Sequence, residues 1–139
     1  MDRRPLLKKE LEKYFEKRKD IAFAFLFGSQ ARELALPSSD VDIAVYFYPK
    51  RRKPLEFEEE VYYENEGRIW TDLERLLKRE VELLVLNRAP STVAASAIRG
   101  IPLIIKDWGL YLDFMEIITA QAEDFRNLLF RDFLERVEG

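Results

Sequence analysis

Apolar and polar residues follow two periods along the chain, and each period predicts a different element. The first charged segment carries apolar side chains three or four residues apart, which predicts an amphipathic helix over about residues 6–20. The apolar run Ile21–Phe27 is too short for a helix and stops at Gly28, so it predicts a buried strand. In Val41–Phe47 apolar residues occupy every second position, which predicts a second strand.

The remaining segments continue the alternation. Residues 29–35 are expected to form a short helix, which a turn at 37–39 follows. The basic segment 49–54, which has Pro at both ends, is expected to form an exposed loop. Helical spacing predicts one long helix over about residues 56–78, although Gly67 weakens its middle. Further along, the pattern predicts a strand at 81–85, a short helix at 91–100, a strand at 101–105 and a final helix at about 110–137. This order predicts an α/β (α+β) domain with helices packed on a small sheet of about four strands.

Composition narrows the chemistry that this domain can perform. The 139 residues suit a single domain spanning residues 1–139. The 23 basic and 26 acidic residues nearly cancel, which argues against direct nucleic-acid binding. Because the chain has no Cys and no His, disulfides, Cys- or His-ligated zinc and His-based catalysis are excluded. No apolar run approaches the ~20 residues that span a bilayer, so no membrane association and a cytoplasmic location are expected.

One constellation of residues points to phosphate chemistry. Gly28 ends the first predicted strand, and Ser29 would start a helix whose free N–H groups favour an anionic phosphate. Ten residues further, Asp40 and Asp42 stand two apart, and this period puts both carboxylates on the same side of a strand. Paired carboxylates suit Mg²⁺, which also takes phosphate oxygens. Taken singly, these features are commoner as a helix cap and a solvated strand start.

Together, these residues resemble the minimal nucleotidyltransferase family of the DNA polymerase β superfamily. The family's Gly-Ser-x-Ala-Arg and Ser-Asp-x-Asp segments correspond to residues 28–32 and 39–42. Its third strand, followed by Ala-Pro, corresponds to residues 81–90, and its last short strand to residues 100–103. The resemblance covers about residues 6–107, with a compatible C-terminal helix beyond. It implies a polymerase-β-like nucleotidyltransferase fold.

The resemblance also implies roles for individual residues. Nucleotide binding would fall to Gly28, Ser29, Arg32 and Ser39, with Ser29 holding the β and γ phosphates. Two Mg²⁺ ions would be ligated by the catalytic carboxylates, which are Asp40, Asp42 and Glu82. Glu82 would also help to deprotonate the acceptor hydroxyl.

Two positions depart from the family pattern. Glu33 stands where the family has Gly, and Glu82 stands where it usually has Asp. Glu82 keeps the charge but moves the oxygens by one methylene. A metal misplaced by about 1 Å would cost ~10²-fold in rate. Alternatively, Glu82 is simply an exposed strand residue.

The family resemblance implies a partner as well as a reaction. Stand-alone members of this size act as antitoxins of HEPN-domain toxins and transfer AMP from ATP to a toxin tyrosine. Two alternatives stay open: a degenerate antitoxin that acts by binding alone, and a small-molecule transferase of the aminoglycoside type. A homo- or hetero-oligomer is possible in each case, because the chain has no room for an acceptor-binding domain.

Several other groups of residues carry weaker hypotheses. The basic residues 50–53 and the acidic run 56–66 are expected to be solvated, and Tyr46, Tyr48, Tyr62 and Tyr63 to serve ordinary packing. The C-terminal aromatics are expected to cover the sheet, and any surplus could form a partner interface. These are Tyr111, Phe114, Phe125, Phe130 and Phe133.

Overall fold

The computed structural model describes residues 4–28, 40–49 and 62–138. The helices are α1 (Arg4–Glu16), α2 (Glu66–Leu77), α3 (Ser91–Ala97) and α4 (Trp108–Glu138). The strands are β1 (Ile21–Phe27), β2 (Val41–Phe47), β3 (Val81–Val85) and β4 (Ile101–Ile105), and a 3₁₀ turn at Leu86–Arg88 follows β3. All four strands confirm the sequence predictions. The helix expected at 29–35, the turn at 37–39 and the basic residues 50–53 lie outside the described residues.

In the described part of the chain, the strands form a mixed four-stranded sheet in the order β3-β2-β1-β4. β1 is antiparallel to both of its neighbours, whereas β2 and β3 run parallel. The pairing of β1 with β2 shifts register between Ile21 and Phe23. This irregularity explains why Ala22 and Phe23, although consecutive, both pack on the same side of the sheet.

Helices cover both faces of the sheet. α1 and α2 bury Leu11, Phe15, Ile69 and Leu73 against one face. The other face is covered by α3 and α4 through buried side chains that include Ala94, Ala97, Phe114 and Ile118. The strands β1 and β2 are therefore buried on both sides, which is why β1 is apolar at every position.

The single long helix expected over residues 56–78 is wrong, because residues 62–65 are not helical and α2 begins at Glu66; residues 56–61 lie outside the described residues. The Glu66 carboxylate accepts the backbone N–H of Tyr63 at 2.6 Å and an N–H of Arg88 at 2.7 Å, so the chain turns there. The Tyr63 ring stacks on Phe47 with 4.5 Å between centroids. These contacts with β2 and the 3₁₀ turn outweigh the helical spacing of the apolar residues.

The first and last helices also differ from expectation at their ends. α1 ends at Glu16 rather than near Asp20, because Lys17 and Arg18 donate their backbone N–H groups to carbonyls three residues back. Arg18 then pairs with Asp20 at 2.8 Å. α4 begins at Trp108 instead of Leu110, since the Asp107 carboxylate accepts the Leu110 N–H at 3.0 Å and caps the helix.

The expectation that the C-terminal aromatics cover the sheet is confirmed for only part of them. Phe114 is fully buried and Tyr111 is half-buried against Phe23. Phe125, Phe130 and Phe133 are 49%, 61% and 59% exposed, so for them the expectation is wrong. α4 is 31 residues long, and its last four turns extend beyond the sheet that its first half covers.

Within the described ranges, no helix combines the length and the apolar character that crossing a membrane requires.

Candidate active site

The candidate site lies at one end of the sheet, where β1 ends and β2 and β3 begin. Because β2 and β3 are parallel and in register, Asp42 stands directly beside Glu82. The antiparallel pairing of β1 places Phe27 opposite Asp42, which brings the following residue, Gly28, to the same end. The fold thus assembles residues that lie far apart in the sequence.

The carboxyl groups of Asp42 and Glu82 interact through their charges and a hydrogen bond. Partial burial, the negative charge of Glu82, a hydrogen bond with Glu82 and the charge of Asp40 together raise the pKa of the Asp42 carboxyl. Since neighbouring like charges disfavour each other, a bound cation would relieve the repulsion between these carboxylates. The carboxylates of Asp42 and Glu82 point to the face of the sheet that α3 and α4 cover elsewhere, since their neighbours Ala44 and Leu84 pack there.

The backbone of Gly28 lies against the side chain of Asp42. Its φ is +70°, a left-handed conformation that residues with a Cβ rarely adopt. A Cβ at this position would lie only 2.2 Å from Oδ2 of Asp42. The end of β1 therefore needs glycine for two reasons: its left-handed backbone conformation and the lack of space for a Cβ beside the Asp42 carboxylate.

Gly100 fixes the end of β1 from the other side. A Cβ on Gly100 would lie 2.2 Å from the carbonyl oxygen of Leu26 and 3.0 Å from Cβ of Phe27. The turn between α3 and β4 consequently packs tightly against the last residues of β1. This contact restricts where Gly28 can lie.

The structure brings together part of the residue set that the sequence predicted. Asp40 precedes β2, is exposed, and acts on Asp42 through its charge. Glu82 is also exposed, as the alternative interpretation required, but it is hydrogen-bonded to Asp42. Ser29, Arg32, Ser39 and Glu33 lie outside the described residues.

The carboxylate oxygens of the site fit a hard cation that retains water or phosphate oxygens among its ligands. Carboxylate oxygens are the donors that Mg²⁺ prefers. Among the described residues, no group of three or more His, Cys, Asp or Glu side chains is arranged to hold a metal. The protein would therefore supply one or two carboxylates, and water and substrate phosphates would supply the remaining ligands, as is usual for Mg²⁺.

Two side chains of α2 contact the backbone next to the site and were not singled out from the sequence. The indole Nε1 of Trp70 donates to the carbonyl of Val81 at 2.6 Å. The Glu74 carboxylate accepts the N–H of Val81 at 3.1 Å. Their spacing of four residues puts both on one helix face, but only the fold shows that this face meets the start of β3.

The opposite end of the sheet contains a small open cavity of about 220 Å³. It is lined by Asp20, Phe47, Tyr48, Tyr63, Glu64 and Asn65. The Phe47–Tyr63 stack and the Asn65–Asp20 hydrogen bond of 3.1 Å are structural contacts of this end. The tyrosines expected to serve ordinary packing lie toward the far end of β2 from Asp42. Tyr46 and Tyr63 are buried, as expected, whereas Tyr48 is 40% exposed at the cavity and Tyr62 is 70% exposed beside Arg88.

The fold has relatives among solved toxin–antitoxin complexes. A chain of a toxin–antitoxin complex with AMP-PNP superposes with a TM-score of 0.68 at 16% identity, covering 95% of this chain and 98% of that one. A tri-AMPylated Shewanella oneidensis HEPN toxin in complex with MNT antitoxin gives 0.65 at 14% identity, covering 98% and 99%. The MntA–HepT toxin–antitoxin complex gives 0.63 at 15%, covering 97% and 99%. At such identities the similarity concerns the fold.

Family assignment comes from the sequence itself. No curated protein matches the chain significantly. The model of the family "Polymerase beta, Nucleotidyltransferase" matches residues 9–108, which include β1 to β4 and the three carboxylates. The chain therefore belongs to the polymerase beta nucleotidyltransferase family.

Proposed function

We propose that the protein is a Mg²⁺-dependent nucleotidyltransferase that moves AMP from ATP to a hydroxyl, most simply a tyrosine, of a HEPN-domain toxin. In this role it acts as the antitoxin of the pair. Family membership supports the transferase chemistry. Chains of the same fold and nearly the same length occur in a complex with AMP-PNP and in one with an AMPylated HEPN toxin, which supports the donor and the partner.

The observation that carries the proposal is the pairing of Asp42 with Glu82 beside Gly28. Two carboxylates in adjacent parallel strands, one with a raised pKa, form a site that costs folding energy unless it binds a cation. A structural sheet end has no need of such a pair. The missing Cβ of Gly28 leaves the backbone against Asp42 free to approach a phosphate.

The reaction follows from these groups. The acceptor oxygen forms a bond to the α-phosphorus of ATP, the bond to the β-phosphate oxygen breaks, and pyrophosphate leaves with the electron pair. Glu82, the most exposed carboxylate of the pair, takes the proton of the hydroxyl. Ser29 holds the β and γ phosphates, and Gly28, Arg32 and Ser39 complete nucleotide binding. Mg²⁺ ions, each held by one or two of the carboxylates of Asp40, Asp42 and Glu82, would polarise the phosphoryl group and neutralise the developing charge.

The docking site for the toxin is the apolar C-terminal surface of α4. We define this surface by its exposed side chains, which are Phe125, Leu128, Leu129, Phe130, Phe133, Leu134 and Val137. Seven exposed apolar side chains on about four turns of one helix are more than the scattered single apolar residues that a monomer surface normally shows, and such a concentration marks an interaction site. A protein partner of the size of a toxin domain fits this area, whereas a small acceptor does not.

A second candidate function is neutralisation by binding alone. It is favoured by the lack of a three-ligand metal group among the described residues and by Glu82 in place of Asp. In that case the apolar surface of α4 would carry the whole antitoxin activity, and the carboxylate pair would be a remnant of the fold.

Intact-mass spectrometry of the toxin distinguishes the two candidates. A candidate HEPN-domain toxin is incubated with the chain, ATP and Mg²⁺. The test variant is Asp40→Asn/Asp42→Asn. The matched control, Glu10→Gln/Asp113→Asn, removes two exposed carboxylates of α1 and α4 that lie outside the site.

A toxin mass increased by one or more AMP units, lost in the test variant and kept in the control, is the expected result. An unmodified toxin that still forms a stable complex would contradict the transferase and support the binding-only antitoxin. If no complex forms either, both candidates are wrong.

A further inference from the structure

We infer that Trp70 and Glu74 of α2 are positioning residues for the candidate catalytic carboxylate Glu82, and that they act through the backbone of Val81. This inference rests on the proposed function. It concerns residues on a helix that holds none of the candidate site residues.

The geometry follows from the place of β3 at the edge of the sheet. Within the described part of the sheet, whose order is β3-β2-β1-β4, β3 has a strand neighbour on the β2 side only. Val41 of β2 donates its N–H to the carbonyl of Glu80 at 3.0 Å. In a parallel ladder successive residues direct their polar groups to opposite sides, so the N–H and C=O of Val81 point away from β2.

Both of these outward groups are bonded to α2. Trp70 donates to the carbonyl of Val81 at 2.6 Å, and Glu74 accepts its N–H at 3.1 Å. The Val81 side chain is itself buried, with 2% exposure. Val81, the residue immediately before Glu82, is thus fixed by three sets of contacts. Its backbone is bonded to α2, its side chain packs in the core, and the preceding residue, Glu80, is bonded to β2.

A tight connection makes this arrangement stiff. α2 ends at Leu77, and Lys78 adopts a left-handed conformation with φ of 54°, so the chain enters β3 after only three residues. Helix, turn and strand start form one unit. A change in how α2 holds Val81 is therefore transmitted to Glu82 rather than absorbed by a loop.

The contacts of Trp70 and Glu74 with Val81 lie where the position of the Glu82 carboxylate must be fixed. An exposed glutamate at the first residues of an edge strand has more freedom than an aspartate in a central strand. A displacement of about 1 Å of a catalytic group costs ~10²-fold in rate. Fixing the backbone beside Glu82 compensates for the extra methylene that distinguishes it from the family's usual Asp.

The test uses variants of the two contacts in the complete chain with its toxin. Trp70→Phe removes the donor and keeps an aromatic ring, and Glu74→Met removes the acceptor at similar size. Glu74→Gln keeps a carbonyl acceptor and is the conservative rescue. The control, Thr71→Ala, changes an exposed residue of the same helix whose hydroxyl donates to the carbonyl of Gly67, one turn earlier in α2.

Three quantities are measured: hydrogen exchange of the Val81 and Glu82 amides, the affinity for Mn²⁺ alone by calorimetry, and kcat and KM for AMP transfer. Trp70→Phe and Glu74→Met are expected to speed exchange, to weaken Mn²⁺ binding and to lower kcat by about tenfold, with the KM for ATP within about twofold. Glu74→Gln and Thr71→Ala are expected to match the wild type.

The inference is overturned if Trp70→Phe and Glu74→Met both speed amide exchange but leave kcat and the Mn²⁺ affinity at the wild-type values. Trp70 and Glu74 would then merely protect an edge strand. It is also overturned if Glu74→Gln is as impaired as Glu74→Met. A wild-type protein that neither binds Mn²⁺ nor transfers AMP would refute the proposed function itself, which is a separate outcome.

Discussion

The environment of Asp42 disfavours the ionised form of its carboxyl group. Such an environment lowers stability and is characteristic of residues in functional sites. Burial, then the charge and hydrogen bond of Glu82, then Asp40 raise its pKa above the ordinary 3.8. A carboxyl with a raised pKa in the folded state reduces stability at pH values above that pKa. The penalty vanishes as the pH falls below the unfolded value, because both states are then protonated.

Asp42→Asn is therefore expected to stabilise the fold while abolishing AMP transfer. Asn keeps the shape and removes the charge, so the unfolding midpoint at pH 7 should rise by about 2–4 °C. The gain should shrink on acidification toward pH 4, where Asp42 itself becomes protonated. Thermal unfolding followed by circular dichroism at both pH values measures this. Asp113→Asn, an exposed carboxylate of α4, serves as the control. A destabilised Asp42→Asn at pH 7 would contradict the charge argument.

Gly28→Ala is expected to impair both activity and stability. The new Cβ would stand 2.2 Å from Oδ2 of Asp42 and would demand an unfavourable φ of +70°. We expect a loss of about 1–3 kcal/mol in the free energy of unfolding and at least tenfold in AMP transfer. Denaturant titration and the toxin mass assay report the two effects.

Gly67→Ala is the matched control for that substitution. A Cβ at Gly67 meets nothing within 4 Å, and this residue lies in the first turn of α2. Alanine there should stabilise the protein by up to about 1 kcal/mol and leave transfer unchanged. Equal behaviour of the two alanine variants would mean that Asp42 does not constrain residue 28.

At the scale of elements, the contacts that end a helix or join it to a strand explain where the predictions were wrong. α2 starts at Glu66 because the carboxylate of that residue bonds to Tyr63 and Arg88. The 3₁₀ turn after β3 was not predicted, and it carries the buried Asn87. The Asn87 side chain accepts the N–H of Phe47 and donates to its carbonyl, both at 2.9 Å. The side-chain amide of Asn87 thereby satisfies both backbone hydrogen-bonding groups of Phe47, the last residue of β2.

Asn87→Ala is expected to destabilise the protein strongly. It would leave the N–H and C=O of Phe47 buried and unpaired, at a cost of about 2–4 kcal/mol in the free energy of unfolding. Chemical denaturation monitored by tryptophan fluorescence measures the change. Asn127→Ala, at an exposed position of α4, should change stability by less than about 0.5 kcal/mol. Similar effects of the two substitutions would show that the Asn87 hydrogen bonds contribute little.

At the scale of the whole molecule, α4 divides into a half that belongs to the core and a half that does not. Phe114, Ile118 and Ala122 are buried against the sheet. Beyond Ala122 the described residues are exposed or, at Asp132, half-buried, and many of them are apolar. An isolated helix end of this kind is stabilised mainly by packing, so it is suited to a partner that covers it.

Phe130→Glu is expected to weaken the complex with the toxin by at least tenfold and to leave the melting temperature of the isolated chain nearly unchanged. Phe130 is 61% exposed, so its loss removes little intramolecular packing, and a charge placed in an apolar interface is costly. Isothermal titration calorimetry measures the affinity. The control Leu112→Glu makes a similar change at a 48% exposed position in the first half of α4. If only the control weakened binding, the toxin would dock elsewhere.

The sequence predicted more of the sheet than of the helices, and the reason is physical. Strand bounds such as Val41–Phe47 follow from side-chain alternation within a few residues, which is local information. The start of α2 depends on Arg88 and Phe47, which are distant in the chain. The exposure of Phe125 and Phe133 depends on where the sheet ends, so their helical spacing predicted a covered face that the fold does not provide.

The candidate site divides in the same way. By itself the sequence determined which chemistry is possible: without Cys or His, carboxylates, hydroxyls, amines and oxygen-bound hard cations remain. Gly28, Asp40 and Asp42 stood out from the pattern, and the family resemblance added Glu82. Tertiary structure decided that Asp42 and Glu82 meet, since strands distant in sequence become neighbours only when the chain folds. It also decided that Gly28 lies against Asp42 and that Trp70 and Glu74 hold the start of β3. Local patterns record the preferences of neighbouring residues, whereas distances between carboxylates are set by strand pairing across the whole sheet.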